Sequence, residues 1–423
     1  MSIRLAGMLS LALVSGLGLI ALGGCSDTSG PDPVTRIEAL PRALTDAERE
    51  VIEAGDSFAF DFLARLAASE DAGVNLFVSP FSASMALGMA LAGAEGETYE
   101  AMRNGLGLSG MSREEIGASY HSVIGLLTEL DPRVQMEIGN SVWLRTGFDP
   151  EAAYLEEVEA DFDARVSTLD FADPTAADTI NAWVSEATGG EIEGIVTPPI
   201  SPLTVAFLIN AIYFRGDWTI QFDPADTRPG PFRREDGTVV TAPLMHLSDG
   251  AFPFAWTPEY TALELPYGGE AFAMTLVLPP EGVGLAEFVA GLDADAWKRI
   301  LASLAPRDPP VTLPKFRLEF DKQLNDVLKA LGMEPAFDPS VADFSRMHRD
   351  ALDMQLHLSE VKQKAFVEVD EKGTTAAAVT SVEVGVTSAP IGFTADRPFL
   401  FAIRERLSGT LLFTGLVYDP TAE

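Results

Sequence analysis

Hydrophobic residues along the chain fall into two spacings. Between Phe58 and Ala68 they sit at Phe58, Phe60, Phe62, Leu63 and Leu66, a helical pattern. Asn75–Ser82 opens a second helix running through Met85, Leu87, Met89 and Leu91. Helices are predicted over Tyr120–Leu130, Ala153–Phe162, Thr179–Glu186 (stopped by Gly189 and Gly190), Gly284–Leu304 and Lys322–Leu331. Strand patterns occupy Gln135–Arg145, Tyr260–Pro266, Phe272–Leu278, Val311–Glu319 and Leu411–Val417. Val205–Phe214, apolar except for Asn210, reads as a buried central strand. Helices and strands mix without a regular strand–helix–strand repeat, which predicts an α+β fold with large sheets.

The most informative stretch is 364–388. Ala365 to Asp370 alternates like a strand and ends in Glu371, Lys372 and Gly373. Thr374 to Val386 then contains small or β-branched residues and a single charge. On a strand, Thr374, Ala376, Ala378, Thr380, Val382, Val384 and Val386 share one face, and Glu383 lies on the other. A face kept free of charge suits a segment that is buried as a strand at some stage. An ordinary buried strand and a flexible linker are the plain alternatives.

Composition narrows the setting. The 423 residues carry 29 basic and 63 acidic groups, a net charge of −34, and 47% are hydrophobic. Such a chain buries a large core, and its charge disfavours nucleic acid and anionic membrane surfaces. Residues 1–24 read as a targeting segment: Arg4, an uncharged apolar stretch from Leu5 to Leu22, then Gly23, Gly24 and Cys25. Cys25 is the sole cysteine and stands where a bacterial lipoprotein carries its lipid, followed by a tether over 25–44 rich in Ser, Thr, Gly, Pro and charges. A membrane helix and an ordinary secretion signal are the alternatives. Ser26, where an aspartate would signal retention, points by resemblance to the outer membrane.

The C-terminal motifs resemble the serpins. Glu371-Lys-Gly-Thr-Thr-Ala-Ala-Ala378 is similar to their reactive-loop hinge, and Phe393-Thr-Ala-Asp-Arg-Pro-Phe-Leu-Phe-Ala-Ile403 to their C-terminal signature. The likeness extends over about 45–420 through Asn75–Leu87, Asn181-Ala-Trp-Val184, Thr188–Ile192, Leu208–Trp218, Leu313–Phe316 and Ala342–Ser345. It implies the serpin fold over 45–423, with large mixed sheets, surrounding helices and an exposed reactive loop over 371–392.

The resemblance also implies a mechanism. A protease cuts the loop and is held as an acyl-enzyme, while the freed loop inserts into the main sheet. Glu371, Gly373, Thr374, Thr375, Ala376, Ala377 and Ala378 would form the hinge. Thr387–Ser388 would be the bond cut, by the family's register from Gly373 and Pro398. Ser79, Ser82, Asn210 and Gln363 would form a polar cluster that lets the sheet open, although Ser79 and Ser82 equally suit helix capping. Gln363 stands where many serpins have histidine, and Val379 where Ala or Gly is usual. No Arg or Lys flanks the bond, which favours elastase-like or subtilisin-like serine endopeptidases, with cysteine endopeptidases as a second class. The implied molecule is a monomer without cofactor or metal, in the cell envelope or extracellular. The rival is a non-inhibitory serpin-fold binding or chaperone protein; such members usually carry bulky, charged or proline residues in the hinge.

Enzymatic readings find little support. His121, His246, His348 and His357 are the only histidines, none at metal-ligand spacing, and no G-x-S-x-G occurs.

Overall fold

The computed structural model describes residues 35–374 and 392–422. Its first helix, Asp46–Ser69, begins where Thr45 and Glu48 cap one another: the Thr45 hydroxyl accepts from the Glu48 N–H, and the Glu48 carboxylate from the Thr45 N–H. The helix therefore starts well before Phe58, where the apolar spacing is still loose. The second helix, Pro80–Gly93, is buried at every position but Ala86. A helix that is apolar all round can only sit inside. Its last carbonyls are closed by arginine: Arg113 donates to the carbonyls of Leu91, Ala92 and Ala94, and Arg346 Nε donates to Ala92.

The described residues form three sheets, and this helix pair packs against strands of two of them, the seven-stranded and the six-stranded. The seven-stranded sheet runs Leu76–Val78, Leu411–Val417, Phe399–Glu405, Phe272–Leu278, Thr261–Tyr267, Phe252–Trp256, Ala305–Arg307. Phe272–Leu278, Phe399–Glu405 and Leu411–Val417 are buried at every residue, so both faces of the sheet's middle are covered. The four-stranded sheet runs Phe393–Thr394, Val311–Pro314, Val239–Leu247, Arg228–Arg233. The main sheet has six strands: Phe316–Gln323, Lys362–Val369, Gly373–Thr374, Ala206–Asp217, Val134–Arg145, Arg165–Leu169. The α+β expectation holds.

Several expected elements are corrected. Val311–Glu319 is two strands in two sheets, because the chain turns at Pro314, and Lys315 N–H binds the Pro243 carbonyl before Phe316 starts the next strand. Gly284–Leu304 divides into Leu285–Ala290 and Ala294–Ser303 at Gly291, with Asp293 capping the second helix. Lys322 and Gln323 belong to a strand, and the helix after them begins at Asn325. Val205–Phe214 does lie in a central strand, yet Leu208, Asn210, Ile212 and Tyr213 are only half-buried. Among the described residues no ladder joins Ala206–Asp217 directly to Lys362–Val369; the two-residue strand Gly373–Thr374 stands between them. The strand is less covered than its composition suggests because it borders this slot.

Candidate functional site at the mouth and waist of the main sheet

Lys362–Val369 ends in a tight turn. The Asp370 carboxylate accepts from the N–H of Lys372 and Gly373 at 2.9 and 3.2 Å, and Asp370 N–H binds the Gly373 carbonyl at 3.0 Å. This turn sends Gly373 and Thr374 back between the two long strands, with Thr374 opposite Val369 on one side and Gly216 on the other. Gly373 is required there by close approach: a Cβ would lie 2.1 Å from the Gly216 carbonyl oxygen. Gly216 in turn leaves room for the Tyr267 ring, which a Cβ would meet at 2.9 Å.

The turn is fastened on three sides. Trp218 takes the Lys372 carbonyl with its main-chain N–H at 2.6 Å and the Asp370 carbonyl with its indole at 2.9 Å. Its ring stacks on Tyr267, with centroids 4.5 Å apart, and the Tyr267 hydroxyl lies 2.8 Å from that of Thr374. Glu371 lies 2.8 Å from Lys315 Nζ and accepts from the Thr227 hydroxyl at 2.7 Å. Burial alone would push the Glu371 carboxyl up; the Lys315 ammonium and the Thr227 hydroxyl more than offset it and hold it below the usual range. Beneath Thr374 opens a cleft walled by Ile212, Phe214, Phe366 and Val367 and floored by Phe77 and Phe413.

Lower down, at the waist of the slot, the polar groups are arranged differently. Ser79 caps helix Pro80–Gly93 by accepting from the Ser82 N–H at 3.1 Å, and its hydroxyl donates to the Leu412 carbonyl at 2.7 Å. Gln363, on one flanking strand, pairs with the Ser79 backbone twice: its Oε1 accepts from Ser79 N–H at 3.2 Å, and its Nε2 donates to the Ser79 carbonyl at 2.7 Å. Asn210, on the other flank, turns away. Its Nδ2 donates to Asn140 Oδ1 at 2.8 Å, and Asn140 donates to the Phe162 carbonyl at 2.7 Å. Asn210 Oδ1 is buried with no hydrogen-bond partner. No hydrogen bond among the described residues joins Asn210 to Gln363. At this level Ala206–Asp217 is held by its partner strand Val134–Arg145, along the register Val134↔Gly216 to Leu144↔Ala206, and by a contact from Asn210 Nδ2 to Met85 Sδ at 3.8 Å.

The family model described as Serpin (serine protease inhibitor) matches residues 53–420. The chain belongs to the serpin family. An uncharacterized serpin-like protein of Thermococcus kodakarensis is 36% identical, covering 93% of this chain and 91% of that protein. Intracellular coagulation inhibitor 2 of Tachypleus tridentatus is 34% identical, covering 82% of this chain and 86% of that protein. The crystal structure of human thyroxine-binding globulin complexed with thyroxine is similar at 28% identity and a TM-score of 0.79, covering 89% of this chain and all of that one. The fold is thus the serpin fold, and serpins in general are protease inhibitors acting on serine proteases, not catalysts.

In this serpin, Glu371, Gly373 and Thr374 come together at the slot's mouth; Ser79, Ser82 and Gln363 form one cluster at its waist, from which Asn210 stands apart. Cys25, Thr375, Ala376, Ala377, Ala378, Val379, Thr387 and Ser388 lie outside the described residues. Sequence reading assigned no role to Trp218, Tyr267, Lys315 or Asn140. Trp218 and Lys315 lay inside motifs shared with the family. Asn140 carried a faint signal: in the register it sits directly opposite Asn210, a polar pair in the middle of two strands.

Proposed function

We propose that this serpin is an irreversible suicide-substrate inhibitor of serine endopeptidases with elastase-like or subtilisin-like pockets. The target's serine hydroxyl attacks the Thr387 carbonyl carbon. The Thr387–Ser388 bond breaks, the Ser388 amine leaves with a proton, and an ester joins Thr387 to the protease. The freed segment then zips into the slot from Thr374 downward, carrying the protease with it and deforming its site before water hydrolyses the ester. Serpin loop insertion is itself a known case of strand addition driven by stored strain.

The observation that carries this reading is the seat of Gly373–Thr374. The hinge is already a two-residue strand between the two long strands, above a cleft that no ladder closes among the described residues. Each further residue that enters gains ladder hydrogen bonds of about 0.5–1.5 kcal/mol net. With burial of the valines, a segment of roughly ten residues gains on the order of 10 kcal/mol, comparable to the stability of a whole domain.

Mixing the protein with an elastase-like protease tests this directly. An SDS-stable complex of summed mass is expected. Steady cleavage without complex favours a binding protein, a reading the likeness to thyroxine-binding globulin keeps in view. We also propose that Cys25 is lipidated and tethers the inhibitor to the cell envelope, where it meets outside proteases. Cys25→Ala is expected to abolish lipid labelling; a persistent label would refute the anchor.

A further inference from the structure

Asp56 sits on the inward side of helix Asp46–Ser69, midway along it, and is only 7% exposed. Its Oδ1 is buried with no hydrogen-bond partner. It borders a cavity of about 20 Å³ walled by Val51, Ile52, Phe81, Ser84, Tyr120 and Leu411. That volume holds about one water molecule. The hydroxyl groups nearby are engaged elsewhere: Ser84 donates to the Phe81 carbonyl at 2.8 Å, and Thr410 lies 2.8 Å from the Ser408 hydroxyl. A carboxylate with one oxygen buried and without a donor is costly to keep ionised, whereas the neutral acid is cheaper.

We propose that Asp56 and its cavity form a proton-operated switch on the native state. With the carboxyl neutral, helix Asp46–Ser69 closes on helix Pro80–Gly93. With it ionised, water is drawn into the cavity and the packing of the two helices loosens. The second helix begins at Ser79, the residue tied to Gln363 at the waist of the slot. The switch thus acts at the foot of the contact that holds one flank of the main sheet.

The surrounding charges do not cancel the effect. Lys298 from helix Ala294–Ser303 and Arg404 from strand Phe399–Glu405 favour ionisation, and Glu53 on the same helix opposes it. Lys298 is already paired with Glu53 at 3.3 Å, and Arg404 with Glu264. Helix Arg113–Glu129 presents only the Tyr120 phenol, itself pushed up to about 12 by burial, and helix Pro80–Gly93 presents only Ser84. Burial dominates and pushes the Asp56 carboxyl up to about 7. A carboxyl raised in the fold stabilises it fully below its ordinary value of 3.8, and that contribution is lost as pH rises through about 7. Glu405 is also pushed up by burial and acts with the same sign, so a variant, not the wild-type profile alone, isolates Asp56.

The switch concerns the native fold and stands whether or not the loop inserts, so its failure is distinct from failure of the inhibitor reading. The full chain is melted at about pH 5 and about pH 8 as wild type, Asp56→Asn and Asp56→Leu. At the higher pH both variants are expected to melt about 3 °C above wild type, and the gap is expected to narrow at the lower pH. Variants that fold but melt at or below wild type at the higher pH would overturn the proposal. Hydrogen exchange of residues 80–93, corrected for the intrinsic pH dependence, is compared between wild type and Asp56→Asn so that any contribution of Glu405 cancels. Protection in wild type is expected to drop several-fold more than in Asp56→Asn from about pH 5 to about pH 8, and equal drops in the two would overturn the switch.

Discussion

The mouth and the waist of the main-sheet slot are built on opposite plans. At the mouth, Trp218, Tyr267, Lys315 and Thr227 all converge on the turn 370–374 from other parts of the chain. At the waist, Gln363 and Asn210 make no bond to each other: Gln363 is tied to Ser79, Asn210 to Asn140 and to Met85 Sδ, and the Asn210 side-chain oxygen is left orphaned. The turn is thus fastened by side chains from several elements, while no hydrogen bond among the described residues links Asn210 and Gln363 across the waist. In the proposed mechanism, the groups that hold the turn would set the threshold for insertion, and the loosely joined waist would let the gap propagate.

The largest expected effect breaks the mouth for the incoming strand. Thr374 is 3% exposed and faces the Tyr267 hydroxyl. Thr374→Arg would bury an unpaired cation at the first inserted position, so complex yield is expected to fall at least about tenfold while cleavage continues. Unchanged yield on an SDS gel would count against insertion from this point. Next comes Trp218→Ala, which removes the indole hydrogen bond to the Asp370 carbonyl and the stacking partner of Tyr267, while the main-chain bond to the Lys372 carbonyl stays. A loss of about 3–5 kcal/mol by denaturant unfolding is expected.

The waist gives smaller, unequal effects. Gln363→Ala strips the Ser79 N–H of its partner and takes one of two donors from the Ser79 carbonyl, which keeps the Ala83 N–H, and is expected to cost about 1–3 kcal/mol. Asn210→Ala removes a side chain that already has one unsatisfied atom and is expected to cost under about 1 kcal/mol. Should Asn210 prove the costlier of the two, the two flanks are coupled across the slot and the contrast drawn above is wrong. The smallest effect is a pH response at the mouth. Because the Glu371 carboxyl is held below its ordinary 4.5, the stability it lends is present above that value and is lost as pH falls below it. Lys315 is partly exposed, so the loss is modest. Glu371→Gln is expected to flatten the acid side of the stability profile, and an unchanged profile would remove Glu371 from the fastening.

Much of the mouth was legible in the sequence, and little of what holds it. Gly373 and Thr374, read from the sequence as the start of a hinge, do lie between the two long strands; the small, uncharged residues that follow them lie outside the described residues. Trp218, Tyr267 and Lys315 are brought in from 152, 107 and 56 residues away along the chain, and no local pattern encodes such meetings. The division of Val311–Glu319 left a trace in the sequence: the apolar positions are Val311 and Leu313, then Phe316 and Leu318, a slip of one residue across Pro314 and Lys315. Periodicity says which residues face inward without saying which sheet they join. At the waist, sequence reading grouped Asn210 with Gln363, whereas the register pairs it with Asn140, a relation fixed by strand alignment and not by composition.

The central claim is that the chain folds with an open place for its own loop and becomes far more stable once that place is filled. Its most direct test is to cut the loop near residue 387 with a small amount of protease, remove the protease, and compare the melting of cut and uncut protein. The account predicts a large upward shift in the melting temperature of the cut form. Equal melting of the two forms would contradict it.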